Sequence, residues 1–352
     1  MGAISCGFKS RHLHQKSLKF PHISYKYEGF IFLIYLYTFA VVKKLNTGGS
    51  FMQSIKVKVL TVFMSFVMAV SLLPALNSNA AVKPDSGNCG TNLSWYFDGN
   101  STLTIKGYGA MQNFVYDTSK NYTDNPWYKY RTYIKKVVLP NGITSIGNYA
   151  FVWGSKISEI VWPTDGNLKT IGSYAFYECD GLTRIALPNG VTSVGAYAFA
   201  YCSYVTSISL PGSLKTIGKY GFAYTAVTSI SLPSGLTTIG VEAFRGNYKL
   251  RSVTGGAGLK SLGTGAFAFT YDLRTFKITS KKLFRIGKQC FCCSGLKTLQ
   301  IKKTTKLKKK KVKNSLSLSN VKTVKVKKSK VKKYRKFFTP RNCGKYRVKV
   351  KK

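Results

Sequence analysis

Histidine is nearly absent from this 352-residue chain. The three present, His12, His14 and His22, all fall before residue 23. Everything after that lacks an imidazole for proton transfer or metal ligation near neutral pH. Carboxylates are scarce as well: 11 Asp and Glu stand against 55 Lys and Arg, a net charge of +44. Those after residue 80 run from Asp85 to Asp272 without the paired spacing of an acid–base dyad, so each reads as a solvated surface charge. No acid follows Asp272, while 28 Lys and Arg lie between 281 and 352. A phosphate-cradling Gly-rich loop is also missing, since the "GGAG" run at 255–258 falls at the junction of two repeats. The pattern offers no nucleophile with its base, and we expect neither an enzyme nor a cofactor nor a bound metal.

Long apolar runs are lacking too. Val59–Leu73 spans 15 residues and Phe30–Val42 is shorter, whereas a bilayer crossing needs about 20. The first run sits in "MQSIKVKVLTVFMSFVMAVSLLPALNSNAA", with Lys56 and Lys58 ahead of it, Pro74 behind it, and small residues at Ser78 and Ala80. That is the form of a secretory signal peptide over 52–80, cleaved after Ala80, leaving no transmembrane anchor. Residues 1–51 then read as an extension from a start placed too early.

Of eight cysteines, Cys6 precedes the cleavage point, and the seven left cannot close a disulfide framework. Cys179, Cys202 and Cys293 each stand three residues before a strand's first apolar anchor, Leu182, Val205 or Leu296. They read as one buried site repeated, with Cys179 and Cys202 close enough on adjacent units to be bridged. "CFCC" at 290–293 has neither paired CxxC spacing nor a histidine, so it reads as core or oxidisable thiol rather than zinc ligand.

What the chain does contain is repetition. "VTSVGAYAFAYCSYVTSISLP" (191–211) returns as "LKTIGKYGFAYTAVTSISLP" (214–233). Large apolar residues recur at Phe151, Phe176, Phe199, Phe222, Phe244, Phe267, Phe291 and Leu316, in steps of 22 to 25 residues. Such a period marks a solenoid. Each unit ends in an alternating run such as Val205-x-x-Ile208-x-Leu210, which reads as a strand with one buried face. Prolines at 140, 163, 188, 211 and 233 end those strands. Glycines at 147, 172, 195, 218, 240, 263 and 287 read as tight turns needing an unusual backbone conformation. The "YAF" after each glycine reads as packing a large ring inward. A lysine-laden eighth unit keeps the same offsets with Leu316, Val321, Val324 and Val326.

The wording of "IGSYAFYECDGLTRIALP" (171–188) resembles the BspA-like leucine-rich repeats of bacterial surface proteins. The resemblance spans 134–326 in about eight units. It implies a β-rich leucine-rich-repeat solenoid, with a parallel sheet on the concave face, in a secreted or cell-surface binding protein. The stretch 81–133 is similar to the module that precedes such repeats. Its runs Leu93–Phe97 and Leu103–Lys106, joined by Asp98-Gly99-Asn100, read as a small N-terminal β cap. Residues 327–352 read as a basic C-terminal cap, a short helix or turn and then a strand.

Side-chain alternation points the residues flanking each buried strand position outward. They include Arg184, Ser207 with Ser209, Ser229 with Ser231, Ser252 with Thr254, and Thr275 with Lys277. This hydroxyl row, basic at its far end, is the candidate binding face for an extracellular protein or glycan. Lys219 and Asn247 read as turn-side surface. Lys308, Lys309, Lys310, Lys311, Lys327, Lys328, Lys332 and Lys333 form the competing candidate, a site for an anionic cell-wall polymer with the repeats as spacer. An exported chain gives no reason to expect a specific nucleic-acid target.

Overall fold

The computed structural model describes residues 82–352 except 302, 304, 305 and 344–347. The expected leader, 1–80, lies outside the described residues. The alternating runs form the strands of a main ladder: Lys136–Val138, Glu159–Val161, Arg184–Ala186, Ser207–Ser209, Ser229–Leu232, Ser252–Gly255, Thr275–Ile278, Thr298–Gln300 and Thr323–Lys325. Wherever these strands pair, they do so in parallel and in register. The five prolines follow their strands within two residues. Among the described residues the ladder has two breaks, after Glu159–Val161 and after Ser207–Ser209. Across the second a single Thr228 N–H donates to the Thr206 carbonyl at 3.4 Å.

The phenylalanines line the interior. Phe176, Phe199, Phe222, Phe244, Phe267 and Phe291 are fully buried. Successive ring centroids from Phe151 to Phe291 lie 5.0 to 6.0 Å apart. Each ring contributes about 1.5–3 kcal/mol on burial, but only with a neighbouring turn present to cover it. Leu316, Val321, Val324 and Val326 are buried, so the lysine-rich eighth unit keeps the same core.

Each turn also contributes a second, shorter strand. Ile143–Ile146, Thr170–Ile171, Ser193–Val194, Thr216–Ile217, Thr238–Ile239, Ser261–Leu262 and Arg285–Ile286, joined by Gly109–Ala110, build an eight-stranded parallel sheet. Only one residue of each two-residue strand points inward, so no alternation in the sequence announces it.

The glycines that follow these strands serve a different purpose from the one the turn pattern suggests. None of 147, 172, 195, 218, 240, 263 and 287 adopts positive φ. They permit close stacking: a Cβ on Gly218 would stand 2.6 Å from the Gly195 carbonyl carbon and 2.7 Å from the Ala196 nitrogen. From Gly172 to Gly287 each of these N–H groups donates to the preceding turn, as Gly218 does to the Val194 oxygen at 2.8 Å. The left-handed positions fall instead on bulky residues. Tyr149, Tyr174, Tyr197 and Tyr220 have φ of 55 to 57°, and Trp153, Glu178, Tyr201 and Tyr224 have φ of 55 to 62°. Such backbone costs of order 1–3 kcal/mol per residue unless its surroundings hold it. Here every one of these residues donates its N–H to the next turn, as Tyr197 does to the Lys219 oxygen at 2.7 Å. The tyrosine of "YAF" therefore faces out, and of the two rings only the phenylalanine packs inward, beside the buried alanine.

At the N-terminal end β1 (Asp85–Gly90), β2 (Leu93–Phe97) and β3 (Thr102–Gly107) form an antiparallel meander. Asp98 shapes the β2–β3 turn by accepting from the N–H groups of Asn100, Ser101 and Thr102 at 2.8 to 2.9 Å. β3 then pairs in parallel with Lys136–Val138, which merges the meander with the main ladder. Trp127 extends the ring column, stacking on Phe151 at 5.7 Å while its indole N–H donates to the Ala150 oxygen at 2.6 Å. At the other end a helix, Val331–Arg335, packs the fully buried Tyr334, and strand Lys349–Lys351 pairs in parallel with Thr323–Lys325.

Candidate ligand-binding surface

The main ladder sets side chains of adjacent turns opposite one another. Arg184 faces Ser207 and Ala186 faces Ser209. Beyond the ladder break, Ser229, Ser252 and Thr275 form one row and Ser231, Thr254 and Lys277 another. Arg184, Ser207, Ser209, Ser229 and Ser231 are exposed, while Ser252, Thr254 and Thr275 are half-buried. The rows continue into Thr298 and Gln300, Thr323 and Lys325, and end at Lys349 and Lys351. The surface thus runs from hydroxyls to ammonium groups.

The lysines read from the sequence occupy two other places. Lys309–Lys311 form an exposed 3-10 turn on the second-sheet side, where the Lys308 N–H donates to the Phe284 oxygen at 3.2 Å. Lys327, Lys328, Lys332 and Lys333 are exposed around the C-terminal helix. All ion pairs among the described residues involve positions up to Arg245: Lys120–Asp117, Lys129–Asp85, Lys136–Glu159 and Arg245–Glu242. Among the described residues, no ion pair reaches the C-terminal lysines.

Two sequence assignments need correction. Asn247 is buried, not a surface residue; its Oδ1 accepts from the Thr225 N–H at 2.8 Å. It belongs to a buried column with Cys179, Cys202, Thr225, Thr270 and Ser294. In that column Cys179 Sγ and Cys202 Sγ donate to the oxygens of Phe151 and Phe176, both at 3.1 Å. Cys293 does not share this site. Its unit is one residue shorter between turn and strand, so Ser294 fills the column. Cys293 falls on the left-handed position at φ 52°, partly exposed.

A third surface escaped the sequence reading. On the turn side, Tyr149, Tyr174, Tyr197 and Tyr220 stack at centroid distances of 4.6 to 4.8 Å, nearly parallel. Beside them Tyr201 stacks on Tyr224 at 4.5 Å. Small buried residues, Ala200 and Ala223, occupy the place filled by Tyr177 one turn earlier and by Arg245 one turn later. Arg245 donates from Nε to the Tyr224 hydroxyl at 2.9 Å, lies over the Phe269 ring at 4.3 Å, and pairs with Glu242 at 3.4 Å. Burial pushes the Tyr197 and Tyr201 hydroxyls up to about 12 and raises the Glu178 and Glu242 carboxyls above their ordinary range. The signal was the tyrosine two residues after the glycines at 147, 172, 195 and 218, masked because a ring at a fixed place in a repeat reads as core.

Among the described residues no group of three or more His, Cys, Asp and Glu converges to hold a metal ion. Nor, among them, is any helix long and apolar enough to cross a membrane.

The sequence profile of the BspA type leucine-rich repeat region matches residues 123–226 and 215–338, in six copies. No curated protein shows significant similarity to the chain. Among solved structures, a leucine-rich repeat protein from Bacteroides ovatus is 22% identical, covering 74% of this chain and 75% of its own, with a TM-score of 0.47. The T. pallidum leucine-rich repeat protein is 21% identical over 55% of this chain and 81% of its own, with a TM-score of 0.34. A leucine-rich cell surface protein from Faecalibacterium prausnitzii is 18% identical over 76% and 94% respectively, with a TM-score of 0.32.

Proposed function

Because the chain belongs to the BspA type leucine-rich repeat family, we propose that it is an exported binding protein that adheres to an extracellular protein or glycan through its main sheet face. The observation that carries this reading is the register of the outward rows. Ser229, Ser252 and Thr275 on one side and Ser231, Thr254 and Lys277 on the other stand opposite one another. Hydroxyls both donate and accept, and a ladder repeats them at ~4.8 Å, so the face suits a partner with its own regular hydrogen-bonding groups. Solenoids bind extended partners on such surfaces.

The test compares two sets of replacements on an array of extracellular-matrix proteins and glycans. Ser207→Glu, Ser229→Glu and Ser252→Glu together should abolish the strongest array signal without changing the circular dichroism. Lys219→Glu with Lys249→Glu, exposed on the turn side, should leave the signal intact. Loss from the second set alone would move the ligand to the tyrosine side.

The unpaired lysines favour a second reading, attachment to an anionic wall polymer. Polyphosphate binding falls linearly in log K against log salt, with a slope set by the number of contacts. Replacing Lys308–Lys311 with Gln should flatten that slope for a glycerol-phosphate polymer. A salt-independent affinity would exclude this reading.

A further inference from the structure

Cys292 and Cys293 are consecutive, and their Sγ atoms lie 3.5 Å apart. Two turns fix the geometry. The Phe269 N–H donates to the Cys292 oxygen at 2.7 Å, and the Cys293 N–H donates to the Leu318 oxygen at 2.8 Å. The left-handed φ of 52° at Cys293 turns that side chain outward, so it is partly exposed while Cys292 is 8% exposed. Cys290, in the same short run, is fully buried. The Arg245 guanidinium, stacked on Phe269, lies near enough to Cys292 for the two to interact electrostatically. Among the described residues the other thiols offer no such access: Cys89, Cys179, Cys202 and Cys343 are all buried.

We propose that Cys292 and Cys293 form a thiol–disulfide exchange site for small organic disulfides. The Cys293 thiolate attacks one sulfur of the small disulfide. One small thiolate departs, takes a proton from water, and leaves a mixed disulfide on Cys293. The Cys292 thiolate then attacks the Cys293 sulfur and expels the second small thiol. The protein has lost two protons and two electrons, and the small disulfide has gained them. The product is a disulfide between neighbouring residues. Consecutive Cα atoms are ~3.8 Å apart, closer than ordinary disulfides allow, so the ring is strained and readily reduced. The site therefore cycles rather than staying closed, unlike a structural bridge. The exchange chemistry is independent of which face binds a partner.

The experiment equilibrates the full chain in glutathione buffers of increasing disulfide fraction, alkylates the remaining thiols and digests with trypsin. One peptide, 289–297, carries Cys290, Cys292 and Cys293. The expected result is loss of two hydrogens from that peptide, placed by fragmentation between Cys292 and Cys293, with Cys290 alkylated. Closure should reverse at a less reducing ratio than a model structural disulfide does. Cys293→Ser should abolish closure, and Cys290→Ala should retain it. A persistent glutathione adduct on Cys293 with Cys292 alkylated would overturn the proposal. So would closure through Cys290 in the unmodified chain, a readout that needs no variant to fold.

Discussion

Replacing Gly218 with alanine, alongside Gly212 as a control, tests why the glycine column exists. Neither residue has positive φ. Alanine at a compatible backbone stabilises by about 0.4–1 kcal/mol, because the unfolded chain loses freedom. At Gly212 nothing lies within 4 Å of the added Cβ, so that gain should appear undiminished. At Gly218 the same atom meets Gly195 carbon at 2.6 Å and Ala196 nitrogen and Gly195 oxygen at 2.7 Å. These are backbone atoms held by the Gly218 N–H bond to Val194 and by the strand pairs on either side. They cannot swing away as a side chain would. Overpacking of this kind costs about 1–3 kcal/mol, which outweighs the entropic gain. We expect a net loss of about 1–2 kcal/mol for Gly218→Ala and a gain for Gly212→Ala. Urea unfolding followed by circular dichroism reads both as shifts in midpoint at constant slope. Equal midpoints for the two variants would refute the close-approach argument.

Phe199→Ala, which removes a fully buried ring between Phe176 and Phe222 at 5.1 and 5.3 Å, should cost about 3–5 kcal/mol; a loss near 1 kcal/mol by the same urea assay would mean the column collapses to fill the gap. The raised carboxyls predict a pH effect. Glu178 and Glu242, lifted by burial above 4.5, contribute stability that is complete below 4.5 and is lost as pH rises through their folded values. Melting temperatures should therefore decline above pH 4.5 in the parent and stay flatter in Glu178→Gln with Glu242→Gln. The acid limb should be common to both, because Asp85, held down mainly by Lys129, loses its contribution only as pH falls below 3.8.

The sequence showed the main ladder and the phenylalanine column plainly, because both rest on burial repeated at a fixed step. Val321, Val324 and Val326 kept the signal even among lysines. What it hid depends on backbone geometry and on offsets within a unit. The second sheet has one inward residue in each two-residue strand, such as Ile217, too few for an alternation to show. A glycine needed for close approach looks the same in sequence as one needed for φ, which is why Gly218 was misread. Tyr197 and Phe199 both recur in step, yet one faces water and the other the core, and only the left-handed turn between strands separates them. Cys293 was misplaced by counting back from the strand when its unit is a residue short. Of the candidate site, the outward rows were legible because alternation alone dictates them. The tyrosine side was not, since no rule of spacing says which ring of a pair is outside.

Gly195 and Gly218 are 23 residues apart and stand in equivalent places. Excising 195–217 would join Val194 directly to Gly218. Tyr220 would then stack where Tyr197 had been, Phe222 would meet Phe176, and Ser229 would face Arg184. Every column would close over the gap with its own kind. A gene that gains or loses such a segment by recombination between near-identical units thus produces a shorter or longer protein that still folds. Reach becomes a heritable length, adjustable one turn at a time, without any residue of either cap having to change.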